Sequence, residues 1–230
     1  MKGLQHIAFI MDGNGRWAQH KGKRRAEGHK AGVHAMQKIV DACFDKGIRY
    51  VTVYALSTEN FRNRPSQEID ELLDLVRQYL NNSNSHFKKI VDRGIKLEFL
   101  GDLTVFDNDI LDTIRQVRQD TQHCTNGQFN IAINYGSRDE IVNAINLCVD
   151  SNTKIDVDTL SNYLYTKHVP DPDLVVRTGG EMRLSNFLLL QSAYSELHFC
   201  NTLWPDFAPQ ELDSVLEQYY SRKRKFGGVV

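Results

Sequence analysis

Six short runs rich in β-branched and aromatic residues alternate with segments of helical spacing, and this alternation limits the fold more than any other feature of the chain. In chain order the runs cover residues 6–11, 50–56, 96–100, 129–134, 174–177 and 196–200. Several of them are almost continuously apolar, which is typical of strands buried on both faces. The alternation predicts an α/β fold, with a largely parallel six-stranded sheet flanked by helices.

Apolar residues recur at helical spacing between the predicted strands. One stripe covers residues 33–44, a second covers 110–117, and a longer one covers 69–80 and continues to 91. Each stripe predicts an amphipathic helix whose apolar side faces the sheet.

The length and composition fit a single folded domain. A chain of 230 residues lies within the range of one α/β domain, and its 41% hydrophobic and 25% charged content is typical of globular proteins. No internal repeat or long linker divides the sequence, so we expect residues 1–230 to form one domain with a mobile tail at 221–230. The net charge of −1 argues against a nucleic-acid partner.

The sequence contains neither a secretory leader nor a run of about 18 apolar residues that would span a membrane. Its four cysteines lack CxxC spacing, so we expect free thiols in a reducing compartment, with disulfides as the alternative. We therefore expect a cytoplasmic protein that could still touch a membrane surface.

The polar residues that follow the first predicted strand read DGNGR, and a cluster of positive charge comes after them. Ligands of parallel α/β sheets bind at the carboxyl ends of strands, and glycines there let backbone N–H groups face an anion. Arg16, Arg25, His29 and Lys30 follow in the sequence. We predict a di- or triphosphate site in which Asp12 holds a hard cation such as Mg²⁺. A tight turn without a ligand is the alternative.

The same stretch is not a Walker A loop. It matches the dinucleotide fingerprint GxGxxG only in the variant GxGxxA, with Gly13, Gly15 and Ala18. That interpretation needs an acidic ribose ligand about 20 residues onward. Asp41 is the candidate by distance, yet it lies inside a predicted helix instead of at the end of the second strand. A nucleotide-binding enzyme stays as an alternative.

A second basic turn, RTGGEMRLSN, follows the fifth predicted strand. Arg177 and Arg183 flank its Gly-Gly pair, and their guanidinium groups could bind a second diphosphate. After the second strand, STENFRNRP is expected to form a mobile loop that closes over substrate as a lid, within a poorly ordered segment at 60–68. Ordinary surface turns are the alternative for both segments.

Three other polar features have simpler explanations. The acids of DNDILD, residues 107–112, suit the first turn of a helix, where they favour the helix dipole. The histidines lack the spacing of a zinc site. The basic run 222–225 is expected to be solvated, with contact to an anionic ligand or lipid headgroups as the alternative.

Taken together, these segments resemble the cis-prenyltransferase family, and most closely its bacterial undecaprenyl diphosphate synthase branch. The matching stretches run in order along nearly the whole chain: HIAFIMDGNGRWA, RAEGHKAG, YALSTEN, INYGSRDEI, PDLVVRTGGEMRLSNFLL and ELHFCNTLWPDF. The resemblance implies a homodimeric, Mg²⁺-dependent enzyme that adds isopentenyl diphosphate units to farnesyl diphosphate with Z double bonds. Its product would be the lipid carrier of cell-wall synthesis, held while it grows in an apolar channel.

The resemblance also implies roles for particular residues. Asp12 would bind Mg²⁺ and assist departure of the diphosphate, Glu196 would supply a second metal contact, and Asn60 would help proton removal. The allylic diphosphate would be held by Gly13, Asn14, Gly15, Arg16, Arg25 and His29, with Trp17 beside it. Other substrate contacts would come from Ser57, Thr58, Glu59, Phe61 and Arg64. The isopentenyl diphosphate site would comprise Arg177, Arg183, Leu184 and Ser185.

Three positions depart from the family pattern. Phe61 stands where Trp is usual, and one extra residue precedes the Arg-Pro pair, so Arg62 and Arg64 both remain candidates for the loop arginine. Met182 replaces a His found in many relatives, and Lys225 replaces an Arg, which preserves charge but loses a fork of donors. A catalytically silent subunit is a further alternative, although such subunits tend to lose the aspartate that is present here.

Overall fold

The computed structural model describes residues 3–81 and 84–222, and these residues form a six-stranded sheet. The strands are β1 (His6–Ile10), β2 (Tyr50–Ser57), β3 (Ile95–Leu100), β4 (Gly127–Tyr135), β5 (Leu174–Arg177) and β6 (Glu196–Phe199). Their order across the sheet is β3-β4-β2-β1-β5-β6, and the pairings are parallel. The predicted α/β fold is confirmed, and each predicted strand overlaps its observed counterpart.

The strand order creates a switch point at β1. The chain leaves β1 to form β2 on one side and later returns to place β5 on the other side. In the register of β1 with β5, Ile10 is paired with Arg177, so the turns that follow both strands meet at the same edge of the sheet. Crevices of this kind are where α/β proteins bind ligands.

Helices cover both faces of the sheet and follow most strands. They are α1 (Asn14–His20), α2 (Arg25–Asp45), α3 (Thr58–Asn63), α4 (Ser66–Leu80), α5 (Ser85–Asp92), α6 (Asn108–Thr121), α7 (Ser137–Asp150), α8 (Val157–Ser161) and α9 (Pro209–Ser221), with a 3₁₀ turn at Trp204–Asp206. The three predicted stripes lie on α2, α6 and α4. The third one does not continue unbroken, because Asn84 caps a new helix by accepting hydrogen bonds from the backbone N–H groups of His86 and Phe87.

Alternate strand residues point to opposite faces of the sheet, and each face has its own apolar cluster. The larger cluster contains Phe9 and Val53 together with side chains of α2 such as Ile39. The smaller cluster contains Tyr54 and Phe187. The fully buried Trp204 donates a hydrogen bond from its indole Nε1 to the backbone oxygen of Gly32, which joins the 3₁₀ turn to α2.

The prediction of a loop after β2 is wrong. Residues 58–63 form α3, whose first turn is capped by the Ser57 hydroxyl accepting from the Asn60 N–H at 3.0 Å, and residues 66–68 begin α4. The sequence suggested a loop because Asn, Arg, Pro and Ser dominate the segment. The Ser57 cap and the Pro65–Ser66 start of a new helix give those same residues helical roles.

Other expectations can be compared with the described residues. Cys43, Cys124, Cys148 and Cys200 are free thiols, as predicted. Within residues 3–81 and 84–222, no helix combines the length and apolar character needed to cross a membrane. The expected mobile tail, and with it Lys225, falls almost wholly at 223–230, outside the described residues.

Candidate active site

The turn after β1 brings backbone close to the segment at Leu203. Gly13 has a φ of 112°, and a Cβ at this position would lie 2.8 Å from the Leu203 side chain, so glycine is required for both reasons. The backbone N–H of Trp204 donates to the Asp12 backbone oxygen at 3.0 Å. These contacts fix the Asp12 backbone at the carboxyl end of β1.

The Asp12 carboxylate lies between two arginines from different parts of the chain. Arg16 donates to Oδ1 at 3.0 Å, and Arg177 donates to Oδ2 at 2.9 Å. The Arg177 side chain is only 5% exposed, whereas Asp12 is 29% exposed. Asp12 therefore neutralises a buried cation on one side while its own carboxylate stays open to the crevice.

A polar pocket opens beside Asp12 and collects most of the residues predicted for the allylic diphosphate. It is lined by Met11, Asp12, Gly13, Asn14, Gly15, Arg16, Gln19, Arg25, His29 and Arg64. The structure thus places Arg64 on this pocket, whereas Arg62 pairs with Asp139. Trp17 donates from its indole Nε1 to Asp206, with the ammonium of Lys21 4.9 Å from its ring centroid.

Glu68, which no sequence motif indicated, lies against three of the basic groups of this site. Its Oε1 atom lies 3.0 Å from Arg25 Nε, 2.8 Å from Arg64 Nη1 and 3.4 Å from His29 Nε2. Burial lowers the pKa of His29, and the neighbouring positive charge of Arg64 lowers it further. The charge of Arg25 and Arg64 is therefore balanced by a carboxylate from α4.

The turn after β5 forms the second basic site. Arg177 donates from Nη1 to the Ser185 hydroxyl at 2.7 Å and to the backbone oxygen of Arg183. The Arg183 side chain is exposed and pairs with Glu181. Gly179 has a φ of 85°, and a Cβ there would lie 2.6 Å from the Arg16 guanidinium. Only glycine lets Arg16 approach the second turn this closely.

The residues after Ser185 adopt conformations that are unusual for non-glycine residues. Ser185, Asn186 and Leu188 have φ values of 49°, 63° and 45°. Asn186 Nδ2 donates to Glu59 on α3 at 2.8 Å, and its Oδ1 accepts from the Arg138 N–H at the start of α7. Asn186 therefore joins three elements around the second site, a role that no pattern in the sequence indicated.

The α3 residues lie at the rim of the site. Burial acts to raise the pKa of Glu59, but the hydrogen bond from Asn186 and other local hydrogen bonds outweigh it, so the pKa is below its usual value. Thr58 is buried, and Phe61 packs edge-to-face on Phe106 with ring centroids 5.7 Å apart. The Leu184 side chain packs against the smaller apolar cluster.

An apolar pocket adjoins the polar one and shares Met11, Asn14 and His29 with it. Its remaining walls come from α2, β2, α4, β4 and the 3₁₀ turn: Gly32, Val33, Met36, Ala55, Leu56, Leu72, Leu73, Leu75, Val76, Tyr79, Ile131, Ile133 and Trp204. The apolar pocket lies between the sheet and the helices α2 and α4. A ligand with a charged head and an apolar tail would fit the two pockets together.

Two candidate residues lie elsewhere. Glu196 begins β6, where it is paired in register with Leu174, and its carboxylate accepts from Arg222 at 2.7 Å. It is thus at the amino end of its strand, whereas Asp12 follows the carboxyl end of β1. Asp41 lies on α2 with Lys89 at 2.7 Å. The alternative of a dinucleotide site therefore lacks its acidic ribose ligand.

Another acidic segment has a structural role. The Asp107 carboxylate caps α6 by accepting from the Ile110 N–H at 3.1 Å, in agreement with the helix-start interpretation of DNDILD. Across the part of the chain that the structure describes, no three His, Cys, Asp or Glu side chains cluster as a metal site. The Met182 side chain is 78% exposed.

Comparison with known proteins agrees with this architecture. The profile of a family described as putative undecaprenyl diphosphate synthase matches residues 10–227. Isoprenyl transferases of Wolinella succinogenes and Helicobacter pylori are 42% and 43% identical to the chain, covering 98% and 97% of it and 97% of each relative.

Two solved structures extend the likeness. Lavandulyl diphosphate synthase from Lavandula x intermedia, crystallised with dimethylallyl diphosphate, superposes with a TM-score of 0.91 at 33% identity, covering 98% of both chains. A probable undecaprenyl diphosphate synthase from Campylobacter jejuni superposes with a TM-score of 0.82 at 32% identity, covering 99% of this chain and 100% of that chain.

The parallel fold and its site, with these likenesses, define an enzyme of the prenyltransferase class. More particularly, the chain belongs to the isoprenyl transferase family, the cis-prenyltransferases that are like undecaprenyl diphosphate synthase. The resemblance deduced from the sequence motifs is confirmed.

Proposed function

We propose that this enzyme is a Mg²⁺-dependent cis-prenyltransferase that condenses isopentenyl diphosphate units onto farnesyl diphosphate. The product would be a long Z-polyprenyl diphosphate, namely undecaprenyl diphosphate for the lipid carrier of cell-wall synthesis. The observation that carries the proposal is the continuity of the polar pocket beside Asp12 with an apolar pocket between α2 and α4. Such a pair of pockets suits a substrate with a diphosphate head and a hydrocarbon tail.

The polar pocket would receive the allylic diphosphate. Backbone amides after Gly13, together with Arg16 and Arg25, would bind its oxygens, and Arg64 would close the rim. When the allylic C–O bond breaks, its electron pair leaves with the diphosphate. Cationic groups already in position stabilise the charge that builds up on this leaving group.

The second site would hold isopentenyl diphosphate. Arg177, Arg183 and Ser185 would bind this diphosphate so that the double bond lies next to the allylic carbon. The π electrons of that double bond would form the new C–C bond and leave a carbocation on its other carbon, and loss of a proton from the next carbon would then form a new double bond. Asn60, on α3, is the residue that we assign to helping proton removal.

Asp12 fits the metal that the family resemblance implies. Each of its carboxylate oxygens carries one guanidinium hydrogen bond, which leaves further lone pairs for a hard cation. Mg²⁺ in proteins is commonly held by one or two carboxylates plus substrate phosphates, so a single aspartate is sufficient. When bound, the metal would neutralise charge on the departing diphosphate. The resemblance implies that Glu196 is a second metal ligand. Glu196 lies at the amino end of β6, so it would have to reach the metal from outside this crevice.

We also propose that the enzyme is a homodimer. The helix α7 exposes Val142, Leu147 and Val149 at 58%, 43% and 64%, and the edge strand β6 exposes Leu197 at 37%. A second copy of the chain would remove such apolar surface from water. Analytical ultracentrifugation would give a two-chain mass if this is right and a single-chain mass if it is wrong. We further propose that the enzyme is cytoplasmic, and that release of the long apolar product involves transient contact with the cytoplasmic face of the inner membrane.

The activity is tested with purified protein and labelled isopentenyl diphosphate. We expect label to pass into an organic-extractable product only when both farnesyl diphosphate and Mg²⁺ are present, and EDTA should stop the transfer. Failure to form any extended product with either farnesyl or a shorter allylic diphosphate would refute the proposal. Transfer that continues in EDTA would refute only the metal requirement.

A further inference from the structure

The Glu68 carboxylate occupies the position of an anion within the basic site. One of its oxygens, Oε1, is surrounded by Arg25, His29 and Arg64, which come from α2 and from the segment before α4. Glu68 itself is not part of the pocket lining; it lies in the first turn of α4, and its side chain is 17% exposed. The three basic groups are held together by this carboxylate and all line the pocket.

We propose that Glu68 is an internal substitute for the allylic diphosphate, holding the basic groups in place while the pocket is empty and losing them when the diphosphate binds. The inference rests on the proposed function, because it takes the polar pocket to be the allylic diphosphate site. It assigns to Glu68 a positioning role, since this residue acts through Arg25, His29 and Arg64 and not on the reacting atoms.

The number of donors around Oε1 supports this role. A carboxylate oxygen has about two lone pairs, and here it faces three donor groups. The two arginines take the short contacts, at 3.0 and 2.8 Å, whereas His29 Nε2 is left at 3.4 Å. Within the described part of the chain, this buried His29 nitrogen has no hydrogen-bond partner of normal geometry. The groups around Oε1 therefore exceed what that single oxygen can satisfy, and a diphosphate, with more oxygens, would satisfy them all.

The position of Glu68 on α4 connects the two pockets. Leu72 lies one helical turn further along the same face, and with Leu73 and Val76 it forms the α4 wall of the apolar pocket. When diphosphate takes Arg25 and Arg64, Glu68 no longer holds the beginning of α4 against α2. The head group and the hydrocarbon tail would thus be accommodated together, and the return of Glu68 to its arginines would favour release of diphosphate after turnover.

The test compares Glu68→Gln with the matched control Asp70→Asn, which removes an exposed carboxylate from the same helix. Binding of inorganic diphosphate to the full chain is measured by isothermal titration calorimetry in Mg²⁺-free buffer at fixed salt. In Glu68→Gln, no carboxylate at this position competes with the ligand for the charge-assisted hydrogen bonds of Arg25 and Arg64. We therefore expect this variant to bind diphosphate about tenfold more tightly than wild type does. Asp70→Asn should bind as wild type does.

Weaker or unchanged binding by Glu68→Gln would overturn the inference, because a residue that only supports the site would loosen it when altered. Wild type that fails to bind diphosphate at all would instead refute the site assignment and the inference together. A second measurement guards against a poorly folded variant. In anion-free buffer we expect Glu68→Gln to melt below wild type, and diphosphate should raise its Tm by more than that of wild type. An equal rise in both proteins would contradict the proposal.

Discussion

Replacing Asp12 by Asn tests the central residue of the site with the smallest change of shape. Asp12 is the carboxylate partner of Arg177, whose side chain is 5% exposed, and removing one partner of a fully buried pair costs about 3–5 kcal/mol. Asp12 itself is 29% exposed, and an Asn oxygen still accepts one hydrogen bond. We therefore expect a loss of about 2 kcal/mol of unfolding free energy, or about 4–8 °C in Tm for a chain of this size.

The same substitution should separate turnover from binding. Turnover should fall at least about a hundredfold, since charge stabilisation at the leaving group is lost. Binding of inorganic diphosphate in Mg²⁺-free buffer should persist, because Arg16 and Arg177 keep their positive charge. Steady-state transfer rates, calorimetric binding and thermal melts measure these three effects, and the exposed Asp109→Asn serves as the control.

Two results would refute this reasoning. A variant that keeps more than a tenth of wild-type turnover would show that the Asp12 carboxylate is not needed for departure of the diphosphate. An unchanged Tm would show that Arg177 tolerates the loss of its partner, so that the ion pair has no stabilising role.

Three further changes have expected outcomes. Gly28→Ala should destabilise the fold by about 3 kcal/mol in urea unfolding, because its Cβ would lie 2.1 Å from the backbone oxygen of Asn14. Burial lowers the pKa of His6 from 6.5 to about 4. The neutral ring therefore contributes its full stabilisation above about pH 6.5, and this stabilisation is lost as the pH falls towards 4. Relative to His6→Gln, the wild type should lose about 2–3 kcal/mol more between pH 7.5 and 4.5. Asn186→Asp should raise the KM for isopentenyl diphosphate about tenfold, because a second carboxylate would face Glu59.

Each of these outcomes has a control or a contrary result. Gly3→Ala, whose Cβ would meet nothing within 4 Å, should leave unfolding unchanged. Parallel stability curves for wild type and His6→Gln across that pH range would contradict the buried neutral ring. An Asn186→Asp enzyme with a normal KM for isopentenyl diphosphate, or one in which only the allylic KM rises, would contradict the link between Asn186 and the second site.

The strands could be predicted because their signal is local. The fifth run was predicted with the bounds that β5 has, and β4 differs mainly in beginning at Gly127, where pairing with Ile95 extends it. The short helix α1 could not be read in the same way. It has little apolar periodicity and depends on close packing with α2, where a Cβ on Gly32 would lie 2.4 Å from the Asn14 side chain.

The residues of the site also differ in whether a local sequence signal could predict them. Asp12, Arg16 and Arg177 lie at or shortly after the carboxyl ends of β1 and β5, and the rule that ligands bind at carboxyl ends brings them together without knowledge of the fold. Glu68 belongs to no local motif, and nothing within the RTGGEMRLSN turn marks Asn186 as a contact of α3. They contribute through partners 43 and 127 residues away in sequence, and only the packing of α4 and of the β5 turn reveals those partners.

The most direct test of the account is the structure of the product itself. Purified enzyme is supplied with farnesyl diphosphate, ¹³C-labelled isopentenyl diphosphate and Mg²⁺, and the dephosphorylated products are examined by mass spectrometry and NMR. We predict a series that grows by five carbons per step, in which every newly formed double bond has the Z configuration. Products with new E double bonds, or no product longer than the primer, would contradict the assignment.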